Sequence, residues 1–355
     1  MKNLIKLFSF TLATGLLLSS CEGPMGPSGA AGADGKDGTN GIDANATCTL
    51  CHSNSAIIET KLAQWSESVH ATGENAAYAN RSGCVQCHTS QGFLEYVAEG
   101  SAANISVPVE PMQINCYTCH KIHKTFTNED WALTKPGAQI LDVKYAGANV
   151  TWDKGNSNQC VACHQAREVS PAPVLNGPDF ALTNSRTSVH HAPMSNFVLG
   201  KIPFELTGTA YPASNPHSSA DGCITCHMAT PYGYMAGGHN MGMTYSAHGG
   251  PETLNSTGCL TCHTTYTAAT IATKFATLET EVTNKLATLK AQLIAAGIYD
   301  TSNDLAKTGT FKANAVLAYL NYDAVVQDKS FGAHNPVYIK TLLDNSIAAM
   351  ATLGY

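Results

Sequence analysis

From Ala268 to Ala296 apolar residues recur at Ile271, Phe275, Leu278, Val282, Leu286, Leu289 and Leu293. These steps of three and four keep one helical face apolar, and Gly297 marks the end of the helix. A second helix is expected from about Phe311 to Gln327. A third is expected from Pro336 to about Thr352, because Asn335 and Pro336 suit an N-cap and a first helical position. The three should pack as a hairpin whose last helix returns toward the rest of the chain. Another helix is expected from Ala56 to about Ala71. At the N-terminus Lys2 and Lys6 precede an apolar run, Leu7 to Leu18, broken only by Ser, Thr and Gly. That run is too short to span a bilayer as a mature helix and reads as an export signal over residues 1–20.

Composition narrows the classes. With 44% hydrophobic and 13% charged residues the chain is too apolar for disorder and too polar for a membrane bundle. A formal charge of -6 provides no basic footprint, so no nucleic-acid partner is expected. The segment Leu18-Ser19-Ser20-Cys21 resembles the bacterial lipoprotein cleavage box, which implies a lipidated Cys21 anchoring the mature chain to a membrane. Glycine then recurs at Gly23, Gly26, Gly29, Gly32, Gly35, Gly38 and Gly41, a collagen-like tract. A triple helix needs three chains and usually more triplets, so residues 21–43 read as a lipidated cysteine and its tether, and the folded body begins near Ala44.

Twelve of the thirteen cysteines fall into six copies of one pentad: CTLCH at 48–52, CVQCH at 84–88, CYTCH at 116–120, CVACH at 160–164, CITCH at 223–227 and CLTCH at 259–263. Two thiols three residues apart can form thioethers with the two vinyl groups of one haem, and the adjacent histidine then lies beneath the iron. Zinc sites would not need a histidine after every second cysteine, and a thioredoxin-like site would need one pair rather than six. Structural disulfides do not favour such small loops. The thioether residues are therefore Cys48, Cys51, Cys84, Cys87, Cys116, Cys119, Cys160, Cys163, Cys223, Cys226, Cys259 and Cys262, with six covalently bound haem c groups. The proximal ligands are His52, His88, His120, His164, His227 and His263. The sequence resembles an exported multihaem c-type cytochrome with six haems.

Six porphyrins in so short a body leave little room for an ordinary side-chain core. The expected fold is mainly α with much irregular coil: little sheet, short helices after each pentad, long connections, and haems stacked in a row at near-contact separations. A hexahaem-binding domain would cover residues 44–266, and a C-terminal helical region 267–355 would return a histidine to the haems. Long helices after the last pentad resemble the nitrite reductase and hydroxylamine oxidoreductase multihaem superfamily over most of residues 60 to 355.

Eight histidines remain for the far faces of six irons, enough for bis-histidine ligation throughout. His70 in a Trp-x-x-Ser-x-His segment ahead of CVQCHTSQGF is similar to a distal-ligand segment of many multihaem cytochromes. His123, three residues past His120, cannot reach the far face of its own iron and would serve a neighbour. In VHHAPMSNFVLG the family frame places His190, but Ala192 replaces a glycine, so His190 and His191 both stay open. His217, His239 and His334 also have family-like surroundings. The distal candidates are therefore His70, His123, His190, His217, His239 and His334, with His191 and His248 in reserve. Met235, Met241 and Met243 read as packing filler.

The resemblance implies an electron-transfer lipoprotein of the cell envelope or surface. It would pass electrons along bis-histidine haems to redox partner proteins or extracellular acceptors, with no residue acting as acid, base or nucleophile. A second reading is an oxidoreductase of the nitrite, hydroxylamine or tetrathionate type with one open iron near His191, His248, Tyr245 or Arg167. No pentad carries the lysine that replaces the proximal histidine in many nitrite reductases. A third is a polymeric cytochrome filament, and a homo-oligomer through the long helix fits either chain use.

Overall fold

The computed structural model describes residues 48, 49, 52, 56–73, 75–218 and 221–355. The export signal, Cys21, the tether and Cys51 lie outside the described residues. The chain divides between Ala46 and Thr47, and all the described residues belong to the second part.

Helix is the principal regular structure. Among the described residues strands occur only as four short antiparallel pairs: Gln139–Ile140 with Thr151–Trp152, Phe180–Leu182 with Gly309–Phe311, Thr244–Tyr245 with Thr253–Leu254, and Tyr299–Asp300 with Leu305–Ala306. Each of the five later pentads begins within a short helix; a helix also follows the second, Ser90–Glu99, and the sixth, Ala268–Ala295, as expected, whereas none closely follows the third, fourth or fifth. The pentad helices are Ser82–His88, Cys116–Cys119, Asn158–Val161, Cys223–His227 and Thr257–Leu260. The reason is in the spacing. One helical turn sets the two thiols of a pentad on the same side as the histidine next to them. The backbone N–H of His120, His164 and His263 donates to the first cysteine's carbonyl at 2.8, 3.0 and 2.9 Å, closing that turn.

Val85, the second residue of the second pentad, is buried with Ala79 and Ile105, and Val161, the second residue of the fourth, with Leu141, Val150, Trp152 and Val198. Each small apolar cluster therefore grips the back of one attachment helix. The next helix, Ser90–Glu99, crosses close behind the second pentad, where any side chain at Gly92 would overlap the backbone of Val85.

The expected helix from Ala56 to Ala71 is broken. Ala56–Ser66 ends, and Ser68 caps a separate turn, Val69–Thr72, by accepting from the Ala71 N–H at 3.3 Å. Serine competes with the helix ladder in this way, and the break carries His70 on the new turn.

The C-terminal helices run Ala268–Ala295, Ala313–Asp328 and Pro336–Thr352, and each packs against the other two. Gly297 adopts φ 73°, the left-handed conformation that ends the first. The Asn335 side chain accepts from the Tyr338 N–H at 3.3 Å to start the last, with Pro336 in its first turn. Val282, Leu289, Leu293, Val316, Leu320, Ile339, Leu342 and Leu343 are all buried in one cluster with Phe197, Ile202, Phe204 and Leu206. This corrects the expectation that side chains build no ordinary core. The core is shared between the pentad-bearing and C-terminal regions. Tyr338, fully buried, donates from its hydroxyl to Glu205 at 2.7 Å and accepts from the Ile202 N–H at 3.1 Å, so the helix after His334 is locked to residues 202–205.

Candidate haem centre

Each of the six pentad histidines faces one further histidine, a different one in every case. The ring centres are 6.1 Å apart for His52 and His123, 6.1 Å for His70 and His164, and 6.2 Å for His88 and His190. They are 6.2 Å apart for His120 and His239, 6.3 Å for His217 and His263, and 6.3 Å for His227 and His334. Two imidazoles on opposite faces of one metal ion, with bonds of about 2 Å and about 1.1 Å from nitrogen to ring centre, have centres about 6.2 Å apart. The separation therefore admits one metal ion between each pair, and the donor set fits haem: two thiols on one turn for attachment, two imidazoles for the iron. Among the described residues no three His, Cys, Asp or Glu side chains gather into a metal-binding group, so the pentads are not arranged as tetrahedral thiolate sites. Their described cysteines are unbridged.

Several rings are aimed by hydrogen bonds. Nδ1 of His120 lies 2.7 Å from the Trp131 carbonyl, Nδ1 of His227 2.8 Å from that of Met241, and Nδ1 of His217 2.7 Å from that of Ala333. A carbonyl can only accept, so each Nδ1 carries the proton and Nε2 keeps the lone pair a metal needs. His334 Nδ1 instead meets a carboxylate, Asp328, at 2.7 Å. Asp328 is buried and also accepts from the Ser330 hydroxyl.

Backbone geometry places other distal residues. The N–H of His239 donates to Gln64 Oε1 at 3.0 Å, and Gln64 Nε2 donates to the Gly233 carbonyl at 3.1 Å, which pins the Gly238–Asn240 turn to the helix Ala56–Ser66. His123 and His190 sit at φ 60° and 66°, a left-handed conformation uncommon outside glycine. His191 stands beside His190, ring centres 4.8 Å apart, and its Nδ1 lies 2.7 Å from Gln327 Oε1. The structure thus brings His190, not His191, to His88. His248 lies exposed on the turn Ala247–Gly249.

Burial keeps the inner rings neutral. His164 is pushed down to about 3 by desolvation, then by the neighbouring His70, His227 and His334. His190 is pushed down to about 4 by desolvation, with Arg167, His191 and His88 adding to it, and His239 to about 4 by desolvation, Lys61 and His120. Desolvation also lowers His70 and His227. His334 moves the other way: burial opposes its charge, but Asp328 more than offsets that through charge and hydrogen bond. A neutral imidazole is the form that ligates a metal.

The attachment helices touch one another in a branched pattern. The fourth pentad touches three others. Gln159, just before Cys160, donates to the Thr118 carbonyl of the third at 3.2 Å. Cys163 lies beside Cys87 and the Gln86 carbonyl of the second. Cys160 lies beside Cys223 of the fifth, and Ser157 ties the two helices by accepting from the Ile224 N–H at 3.2 Å. The fifth and sixth meet backbone to backbone, since a side chain at Gly258 would lie 2.6 Å from the Thr225 carbonyl oxygen and 2.9 Å from Cys226 Cα. In the first and last pairs, His52 with His123 and His217 with His263, all four rings are exposed; the other pairs are partly covered.

Sequence reasoning missed Asp328, Gln64, Gly92, Gly222 and Gly258. A signal existed for two of them, because glycine directly precedes Cys84, Cys223 and Cys259. At Gly222 an added Cβ would meet Trp152 at 2.9 Å, whereas at Gly83 it would meet nothing within 4 Å. Asp328, six residues before His334, belongs to no pattern.

No protein-family model matches the sequence, and the search of curated proteins finds no match. Among solved structures the fold is that of a cytochrome. One similar structure is the outer cell wall cytochrome OcwA, with a TM-score of 0.53 and 20% sequence identity over 82% of this chain. The chain spans 50% of that structure's length.

Proposed function

We propose that the chain is an electron-transfer hexahaem c-type cytochrome of the cell envelope or surface, held by a lipid on Cys21. It passes electrons along bis-histidine haems to redox partner proteins or extracellular acceptors. The observation that carries this reading is the set of six histidine pairs: every pentad histidine has an imidazole opposite it at the spacing of one metal ion. Haem, when bound, supplies a reversible one-electron change at iron. The chain's own residues hold and tune it. The paired imidazoles would hold the iron from either side and leave it no position for substrate, backbone carbonyls fix the tautomers of His120, His217 and His227, and the inner pairs are partly covered from water. The exposed first and last pairs suit exchange with partners, and the inner ones suit passage between them.

The oxidoreductase reading finds no comparable support. The Arg167 guanidinium donates to the Gly83 carbonyl at 3.0 Å, Tyr245 stacks on Tyr232 with ring centres 3.8 Å apart, and His191 is engaged by Gln327. A surface position is supported by the sequence before residue 44 and by the cell-wall setting in the name of the structural neighbour. Among the described residues no helix is long and apolar enough to cross a membrane.

The test is the mass and the low-temperature paramagnetic resonance of the purified, oxidised protein. Six haems added and only low-spin ferric signals are expected. Absence of a Soret band ends the cytochrome reading, and a high-spin signal altered by nitrite or hydroxylamine replaces the carrier with an enzyme.

A further inference from the structure

The loop between the last two helices aims two distal rings in different ways. Residues 328–334 present the Ala333 carbonyl to His217 Nδ1 at 2.7 Å and the Asp328 carboxylate to His334 Nδ1 at 2.7 Å. Both bonds leave Nε2 for a metal, but one acceptor is a neutral dipole and the other an anion. His120 and His227, like His217, use carbonyls. His227 is the partner of His334, so that centre has one carbonyl and one carboxylate behind its two imidazoles.

The carboxylate is built in. Asp328 closes the helix Ala313–Asp328, its side chain is 1% exposed, and the Ser330 hydroxyl donates to its other oxygen. The Ser330 oxygen in turn accepts from the Gly332 N–H at 3.2 Å and the His334 N–H at 3.4 Å. Gly332 adopts φ 93°, and an added Cβ there would meet Val282 at 3.0 Å, so the loop lies tight against the long helix. The His334 carbonyl accepts from Asn215 Nδ2 at 2.7 Å. The turn is held at Ser330, Gly332, Ala333 and His334, which fixes the buried carboxylate against His334.

We infer that Asp328 is a positioning residue that sets the fifth centre, between His227 and His334, to the lowest potential its surroundings allow. An anion accepting the Nδ1 proton gives the imidazole part of the character of an imidazolate, a stronger donor to the metal. In a site with little water the same negative charge favours the ferric over the ferrous state, since the ferric centre carries one more positive charge. The fifth attachment helix lies between the fourth and sixth, so this is an inner station next to the exposed last centre. Electrons arriving there pass on readily to either neighbour.

The inference rests on the cytochrome reading, and the experiment separates the two. Asp328→Asn keeps an oxygen to accept from His334 but removes the charge. In an equilibrium redox titration of the six-haem protein, one of the six one-electron steps should rise by at least a tenfold change in the ferric to ferrous ratio, 59 mV for one electron, while five stay. Ser330→Ala removes the hydroxyl that shares the carboxylate, and should lower the same step. A D328N protein with six low-spin haems and a titration curve superimposed on the wild type overturns the inference. If D328N loses a haem or a low-spin signal, S330A decides: a lowered step supports the assignment and an unchanged curve overturns it. A wild-type protein without six haems fails the cytochrome reading instead.

Discussion

Replacing His239 by alanine tests the pairing most directly, because His239 meets His120 across a long stretch of chain. A haem fixed covalently at Cys116 and Cys119 and ligated by His239 clips residue 120 to residue 239. Closing a loop of that length removes about 5 kcal/mol of conformational entropy from the unfolded chain, by the relation that describes a disulfide. The hydrogen bond that places the turn uses the backbone N–H of His239 and the Gln64 side chain, so the variant retains it and loses only the ring. His239 is pushed down to about 4 by desolvation, then Lys61 and His120, so at neutral pH no side-chain charge is lost. The expected outcome in H239A is a high-spin signal from one iron of six and a loss of stability of several kcal/mol, at most about 5, in guanidinium unfolding followed at the Soret band. His248→Ala is the control: its ring is exposed and faces no pentad histidine, so its effect should stay within about 0.5 kcal/mol. Six low-spin centres and an unchanged midpoint in H239A, or equal losses in both variants, would refute the reasoning.

Gly258→Ala should cost about 1–3 kcal/mol in unfolding of the haem-loaded protein, because the new Cβ meets backbone at 2.6 and 2.9 Å and forces the fifth and sixth attachment helices apart. Gly83→Ala, with nothing within 4 Å, should cost nothing and should gain up to about 1 kcal/mol in helix propensity; equal effects at the two sites would refute the close approach. The Asp323 carboxyl is pushed up to about 6 by desolvation, against the pull of Gln327 and His191, and its Oδ2 has no hydrogen-bond partner. A folded value above the unfolded one means the fold favours the protonated acid. The stability it contributes is therefore complete below about pH 4 and lost as pH rises through about 6, at most about 3 kcal/mol. Asp323→Asn should remove this, so its advantage over the wild type should be larger at pH 7.5 than at pH 4.5; a difference independent of pH would show that the acid is not held protonated.

The legible parts of the sequence were those governed by local rules. A pentad declares its chemistry in five residues, and a helix such as Ala268–Ala295 declares itself by period and end signals. The distal rings were harder because their partners are set by tertiary placement. That His120 faces His239 depends on Gln64, whose backbone-directed contacts leave no trace in spacing. The choice between His190 and His191 is made by a positive φ and by Gln327, neither visible in VHHAP. Ser68 is the type of residue that caps a helix, yet the expected helix ran unbroken past it to Ala71. The core was underestimated because porphyrin area was taken to replace side-chain area everywhere, whereas Phe197 to Leu206 fold back onto the C-terminal helices and bury a conventional interior.

The branching of the attachment helices alters how the six centres can work together. A single row has one path, and loss of any member stops it. Here the fourth pentad touches the second, third and fifth, through Cys87, Thr118 and Cys223, and its histidine is among the most deeply desolvated. The first centre joins through the third, since the Tyr117 hydroxyl of that pentad lies 3.4 Å from His123 Nδ1. The third also meets the second directly, where the Thr118 hydroxyl donates to Ser90 at 2.8 Å, and it meets the fifth through the turn that carries His239, since the Met241 carbonyl accepts from His227; the contacts therefore close into loops around the fourth. Substitution of His70, the ring opposite His164, should therefore slow transfer without stopping it, because contacts past the fourth centre remain, whereas substitution of His217 should affect the last centre alone. Stopped-flow reduction of the two variants, each retaining six haems, distinguishes the arrangements: in a single row H70A should interrupt transfer between the first and last centres, and in the looped one it should only slow it.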